Sequence, residues 1–141
     1  MDYIGKIFRP PSEARSVLIQ VSVGCSHNEC SYCDMYRDKA FRIKPWEVVD
    51  ADIQQAAQMG PVVDKLFLCD GDALILPTRK LLKVLNRIKE CLPWIKRVGV
   101  YGDTRSVGRK SVEELQQLKQ AGLGIVYHGV ESGDDDVLKR I

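Results

Sequence analysis

Gly24-Cys25-Ser26-His27-Asn28-Glu29-Cys30-Ser31-Tyr32-Cys33 is the stretch around which the rest of the chain arranges itself. It holds three of the five cysteines as C-x4-C-x2-C, directly after the apolar run Val17–Val23. Three thiolates this close can meet at one metal centre, but three cannot all pair as disulfides. Iron–sulfur clusters are held by cysteine thiolates, usually four. Three with no fourth neighbour point to a cluster with one iron open to another ligand. Other readings of the same residues stay open. Cys25, Cys30 and Cys33 with His27 make a Cys3His zinc set. Cys30-Ser-Tyr-Cys33 has the spacing of a redox dithiol, which leaves Cys25 without a role. A disulfide framework fits least, in a chain of this length with no signal peptide.

The 141 residues suit one domain with a real core. A formal net charge of +2 and the lack of a basic stripe give no footprint for nucleic acid. No apolar run approaches a membrane span, and the expected compartment is a reducing cytoplasm. Solenoid-period repeats and low-complexity segments are absent.

Met1 to Ser16 reads as a lead-in, extended or turn-like at Arg9-Pro10-Pro11. Val17–Val23 predicts a first strand, apolar enough to be buried on both faces. The loop from Gly24 to Lys44 is long, and its cysteines favour a functional loop. Pro45 opens a first helix carrying Trp46, Val49, Ile53 and Ala56, ended by Gly60-Pro61. Lys65–Cys69 predicts a second strand; Leu81, Leu85, Ile88 and Leu92 mark a second helix, stopped by Pro93. Arg97–Tyr101 predicts a third strand. Ser111-Val-Glu-Glu114 is a capping box that opens a third helix, closed by Gly122. Gly124–Val130 predicts a fourth strand, and Ser132–Asp136 starts a fourth helix whose acidic residues suit its positive N-terminus.

Strands alternating with amphipathic helices imply βαβ units and a parallel sheet, an α/β fold. Doubly wound sheets and barrels both begin this way, so periodicity leaves the two open. The special residues are more informative. Cys25–Cys33, Asp70–Asp72, Asp103–Arg105 and Glu131–Gly133 each follow one strand, so all four groups belong on one rim, as in barrels. Each also has a plainer reading: Asp70-Gly71-Asp72 as a strand-to-helix turn, Glu131 as a solvated residue near a helix start. Cys69 and Cys91 read as small buried side chains. Cys69 is the one candidate for a fourth protein ligand, which would close the site into an electron-transfer cluster. His128 receives no role.

The cysteine run and these strand ends resemble the radical S-adenosylmethionine (SAM) superfamily. Most of that family has C-x3-C-x2-C with an aromatic residue before the last cysteine. Here Tyr32 fills the aromatic position, and the first gap holds four residues. The resemblance implies a partial TIM-like barrel of about six βα units, of which residues 17–141 supply about four and stop short on the C-terminal side. It implies that Cys25, Cys30 and Cys33 bind three irons of a [4Fe–4S] cluster, the fourth iron taking the amine and carboxylate of SAM. Asp70-Gly71-Asp72 stands in place of the family's glycine-rich segment for the SAM amino group, with one glycine and with aspartate where glutamate is usual. Gly129-Val130-Glu131-Ser132-Gly133 is similar to the Gly-x-Glu-Ser-Gly of the branch with methylthiotransferases and cobalamin-associated members. Tyr32, Asp70, Gly71, Asp72, Glu131 and Ser132 are thus the implied SAM contacts.

The implied activity is reductive cleavage of SAM to a 5′-deoxyadenosyl radical, which abstracts hydrogen from an unidentified small or macromolecular substrate. It further implies an electron donor such as a flavodoxin or ferredoxin, and a cluster at the low end of the accessible potentials. The rival classes are a zinc-binding structural or interaction module and an electron carrier that holds a cluster without SAM. The open edge of the fourth strand, Ile125–Val130, predicts self-association.

Overall fold

In the computed structural model, which describes residues 1–141, four apolar runs form one parallel sheet. They are β1 (Val17–Gln20), β4 (Lys65–Cys69), β5 (Arg97–Tyr101) and β6 (Leu123–Tyr127), side by side in that order. Val17 faces Leu66, Leu66 faces Val98, and Val98 faces Leu123. Each strand lies beside its predecessor, without the reversal of order that a doubly wound sheet requires. The fold is therefore α/β and consistent with a partial (β/α) barrel.

The chain returns between strands through α1 (Trp46–Gln58), α2 (Thr78–Cys91) and α4 (Val112–Gln120). Their apolar stripes, Val49, Ile53 and Ala56, then Leu81, Val84, Leu85 and Ile88, then Leu118, pack on one face of the sheet. Leu66, Leu68, Val98 and Val100 meet them from the strands. Fully burying one such side chain contributes about 1.5–3 kcal/mol. Strand alternation sends Phe67, Tyr101 and Tyr127 the other way, where their rings pack edge to face at 5.1, 5.9 and 6.2 Å. The capping box forms: Ser111 Oγ accepts from the Glu114 N–H, and the Glu114 carboxylate from the Ser111 N–H.

Three expectations need correction. Val17–Val23 is not one strand. It leaves the sheet after Val21, whose N–H donates to Cys69 O at 2.7 Å, and β2 (Ser22–Val23) pairs antiparallel with β3 (Arg42–Ile43). The loop expected over Gly24–Lys44 is thereby closed at its base. The fourth strand ends at Tyr127, short of Val130, because Tyr127 O accepts from the Gly102 N–H and the His128 ring nitrogen Nδ1 turns to Gly102 O at 2.9 Å. A short helix not expected from the sequence, α3 (Thr104–Gly108), is capped by Asp103, whose Oδ1 accepts from the Ser106 N–H at 2.6 Å. The last helix, α5 (Asp135–Leu138), is capped by Asp134.

The lead-in is more than a tail. Tyr3 donates its hydroxyl to Leu18 O, and the Ile4 N–H donates to Gln20 Oε1, tying the N-terminal segment to β1. Glu13 is fully buried and accepts from Arg97 and Tyr127, both at 2.5 Å, and from the Ser16 hydroxyl. At the other side of the sheet, β6 has a neighbour on one edge only. No helix is long and apolar enough to cross a membrane.

Candidate functional site

The C-terminal ends of β4, β5 and β6 and the cysteine loop enclose a cavity of about 490 Å³. Cys25, Cys30 and Cys33 all line it, with His27, Tyr32, Met35 and Tyr36 from the same loop. Gly71 contributes from the end of β4, Tyr101 to Arg105 from the end of β5, and Tyr127, Gly129 and Glu131 from the end of β6. A larger hollow, of about 840 Å³, lies among α1, α2 and α4 and carries no thiol. The chemistry-bearing side chains are therefore at the smaller one.

The first cysteine is held through its neighbours. Gly24 takes a φ of +75°, a conformation that suits glycine. Its N–H donates to Asp70 Oδ2 at 3.0 Å, and its carbonyl accepts from the Gly71 N–H at 3.2 Å. Ser26 donates its hydroxyl to Asp72 Oδ2 at 2.6 Å. Asp70 Oδ2 also accepts from Gln20 Nε2 at 3.0 Å and from the Lys39 ammonium at 3.2 Å. Asp72 accepts as well from the Ser106 hydroxyl at 2.5 Å and from the Asp103 N–H at 3.4 Å.

Both aspartates are fully buried. Of Asp70-Gly71-Asp72, only Gly71 reaches the cavity wall; the two carboxylates knit the loops together behind it. Ser132 is also off the lining, with its hydroxyl accepting from the Asp134 N–H at 3.0 Å. Glu131, at φ +62°, lies on the lining with Tyr32, whose phenol is pushed up by desolvation and by the Glu131 carboxylate.

Around three glycines of the site, neighbouring side chains stand where a side chain would otherwise be. A Cβ on Gly71 would stand 2.6 Å from the Tyr36 ring and 3.0 Å from Cys25 Cβ. One on Gly102 would meet Leu74 at 2.7 Å, and one on Gly129 would collide with the Glu131 carboxylate. The buried Tyr36 hydroxyl and Asp70 Oδ1 have no hydrogen-bond partner. Burial, then the Asp70 charge, pushes the Tyr36 phenol up, and burial takes Tyr101 up to about 12. Burial likewise raises the Cys25 thiol.

All five cysteines are free. Cys69 is fully buried and absent from the cavity lining, and Cys91 packs at the edge of the helix-side core. Three free, half-buried thiols on one wall have the donor chemistry of an iron–sulfur site. No three of the His, Cys, Asp and Glu side chains stand close enough together to grip an ion as they are. Tyr36, Tyr101, Gly102 and Tyr127 join the site without having been singled out in the sequence. Gly102 carried one signal, its place directly after a strand.

The model of the Radical SAM superfamily matches residues 19–141 of the chain. No curated protein matches it.

Proposed function

Since the chain belongs to the radical SAM superfamily, we propose that Cys25, Cys30 and Cys33 hold a [4Fe–4S] cluster and that SAM occupies the cavity beside them. The observation that carries this reading is that Cys25, Cys30 and Cys33 all line one cavity together with residues from the ends of three strands. When bound, the cluster supplies the electron that splits SAM into methionine and a 5′-deoxyadenosyl radical, which takes hydrogen from an unidentified substrate. The protein's part is to bind, orient and exclude side reactions. Gly71 lets the Tyr36 ring and Cys25 pack against the end of β4, and Gly102 lets Leu74 and Val126 pack against the end of β5, so a larger residue at either place would push the cavity wall out of position. Asp103, Arg105 and Glu131 put charge on the lining, where Arg105 is paired with Asp103 at 3.3 Å. Asp70 and Asp72 act from behind, holding the cysteine loop against β4 and α3.

Anaerobic reconstitution tests the reading. Iron and sulfide should be taken up together, and SAM should alter the electron paramagnetic resonance spectrum of the reduced protein. Gly71→Val should weaken that response by at least about tenfold in SAM concentration, since the added atoms take the space between Tyr36 and Cys25. An unchanged response in Gly71→Val would move the SAM site elsewhere. Zinc in place of iron, bound with His27 as the fourth ligand, would favour a structural module instead. A cluster whose spectrum ignores SAM would make the protein an electron carrier.

The free edge of β6 leads to a separate expectation. Unpaired strand edges template association, so sedimentation of this 141-residue chain should be concentration-dependent. A monomer at all concentrations would show that the edge is protected.

A further inference from the structure

Arg37 follows the cysteine run in a turn, and its guanidinium is spent on that run's own backbone. Nε donates to Cys33 O at 3.0 Å, Nη1 to Asn28 O at 2.8 Å and Nη2 to Cys30 O at 2.5 Å. Three nitrogens of one rigid group thus reach three carbonyls of a loop segment that belongs to no helix or strand. Carbonyl oxygens that converge in this way repel one another unless a cation lies between them. Backbone groups outside ladders need partners of this kind. Asn28 stands at φ +52°, and Cys30 O also accepts from the Cys33 N–H at 3.2 Å.

We infer that Arg37 is a positioning residue for Cys30 and Cys33, setting the curl of the loop and holding a permanent positive charge behind both cysteines. This rests, for its electrostatic part, on the reading of these thiols as cluster ligands. A planar fork with donors in fixed directions can serve three acceptors at once, whereas a lysine ammonium serves as a point charge. The two consequences therefore separate. Geometry needs the fork; charge needs only a cation. A nearby positive charge favours the more negative, reduced state of a cluster, so its removal lowers the midpoint potential.

Arg37→Lys and Arg37→Gln test both parts, with Arg87→Gln as the control for loss of an arginine paired with Asp50 on the helix side. In the metal-free protein, amide hydrogen exchange over residues 28–34 should rise by roughly tenfold or more in both Arg37 variants and stay unchanged in the control. In the reconstituted protein, the midpoint potential should fall in Arg37→Gln and stay near wild type in Arg37→Lys. Unchanged exchange in Arg37→Gln would overturn the positioning role. Equal potentials in the wild type, Arg37→Lys and Arg37→Gln would overturn the role of the charge. If the wild type itself takes up no iron and sulfide, the ligand reading falls, while exchange in the metal-free protein still decides whether Arg37 shapes the loop.

Discussion

Cys30→Ala is expected to leave the protein unable to retain iron through gel filtration after anaerobic reconstitution, and Cys25→Ala and Cys33→Ala should do the same. A cluster bound by three thiolates has no spare protein ligand, so loss of one leaves two irons held and the others open to chelators. The remaining cysteines supply the controls. Cys91, at the end of α2, packs against the helix-side core, and Cys91→Ala should keep the iron content of the wild type. Cys69 is fully buried and pushed up by burial, with its sulfur 4.0 Å from Phe67 O and away from the cavity lining. Cys69→Ala should therefore also retain iron. Loss of iron in Cys69→Ala would point to a closed four-cysteine carrier. Full retention in Cys30→Ala would remove the ligand assignment altogether.

The second large effect concerns stability. Lys39 and Asp70 form an ion pair at 3.2 Å with side-chain exposures of 4% and 0%. Lys39→Met would leave the Asp70 carboxylate buried with only Gln20 Nε2 and the Gly24 N–H as donors, its Oδ1 already without a partner. Breaking a buried pair from one side costs about 3–5 kcal/mol, against a total stability of about 5–15 kcal/mol for a domain. A fall in Tm of about 10–15 °C is expected by circular dichroism. The Lys39 ammonium also donates to Lys6 O, so the N-terminal segment should loosen with it. Adding Asp70→Asn to Lys39→Met should recover part of the loss, because no uncompensated charge then remains. A Tm within a few degrees of wild type in Lys39→Met would mean that solvent reaches Asp70 and that the pair does not anchor the cysteine loop.

What could be read from the chain alone was local. The strands Lys65–Cys69 and Arg97–Tyr101 have the bounds their apolar runs and flanking turns predict. The Ser111 capping box closes within four residues, so its signal and its structure are the same thing. The cysteine spacing, the alternation of strands and helices, and the placement of special residues after each strand are also matters of short range. Hydrophobic periodicity reports where an element buries its side chains, and that is enough to identify an α/β chain.

Tertiary structure decided what depends on distant partners. The order β1-β4-β5-β6 comes from backbone bonding between segments tens of residues apart, and it separates a partial barrel from a doubly wound sheet. Val17–Val23 is mostly apolar throughout, yet Ser22–Val23 pairs with Arg42–Ile43 because those groups find partners there. Asp70 and Asp72 sit in the expected turn, but Lys39, Gln20, Ser26 and Ser106 draw their carboxylates inward and leave Gly71 on the wall. Tyr101 and Tyr127 face the cavity because alternation in two paired strands puts both on the sheet's inner face, and the sequence does not say which face that is. Arg37 looks like any loop arginine until the fold curls Asn28, Cys30 and Cys33 around it. Periodicity carries no information about which buried polar atom meets which. That choice is made only when the whole chain satisfies its donors and acceptors at once.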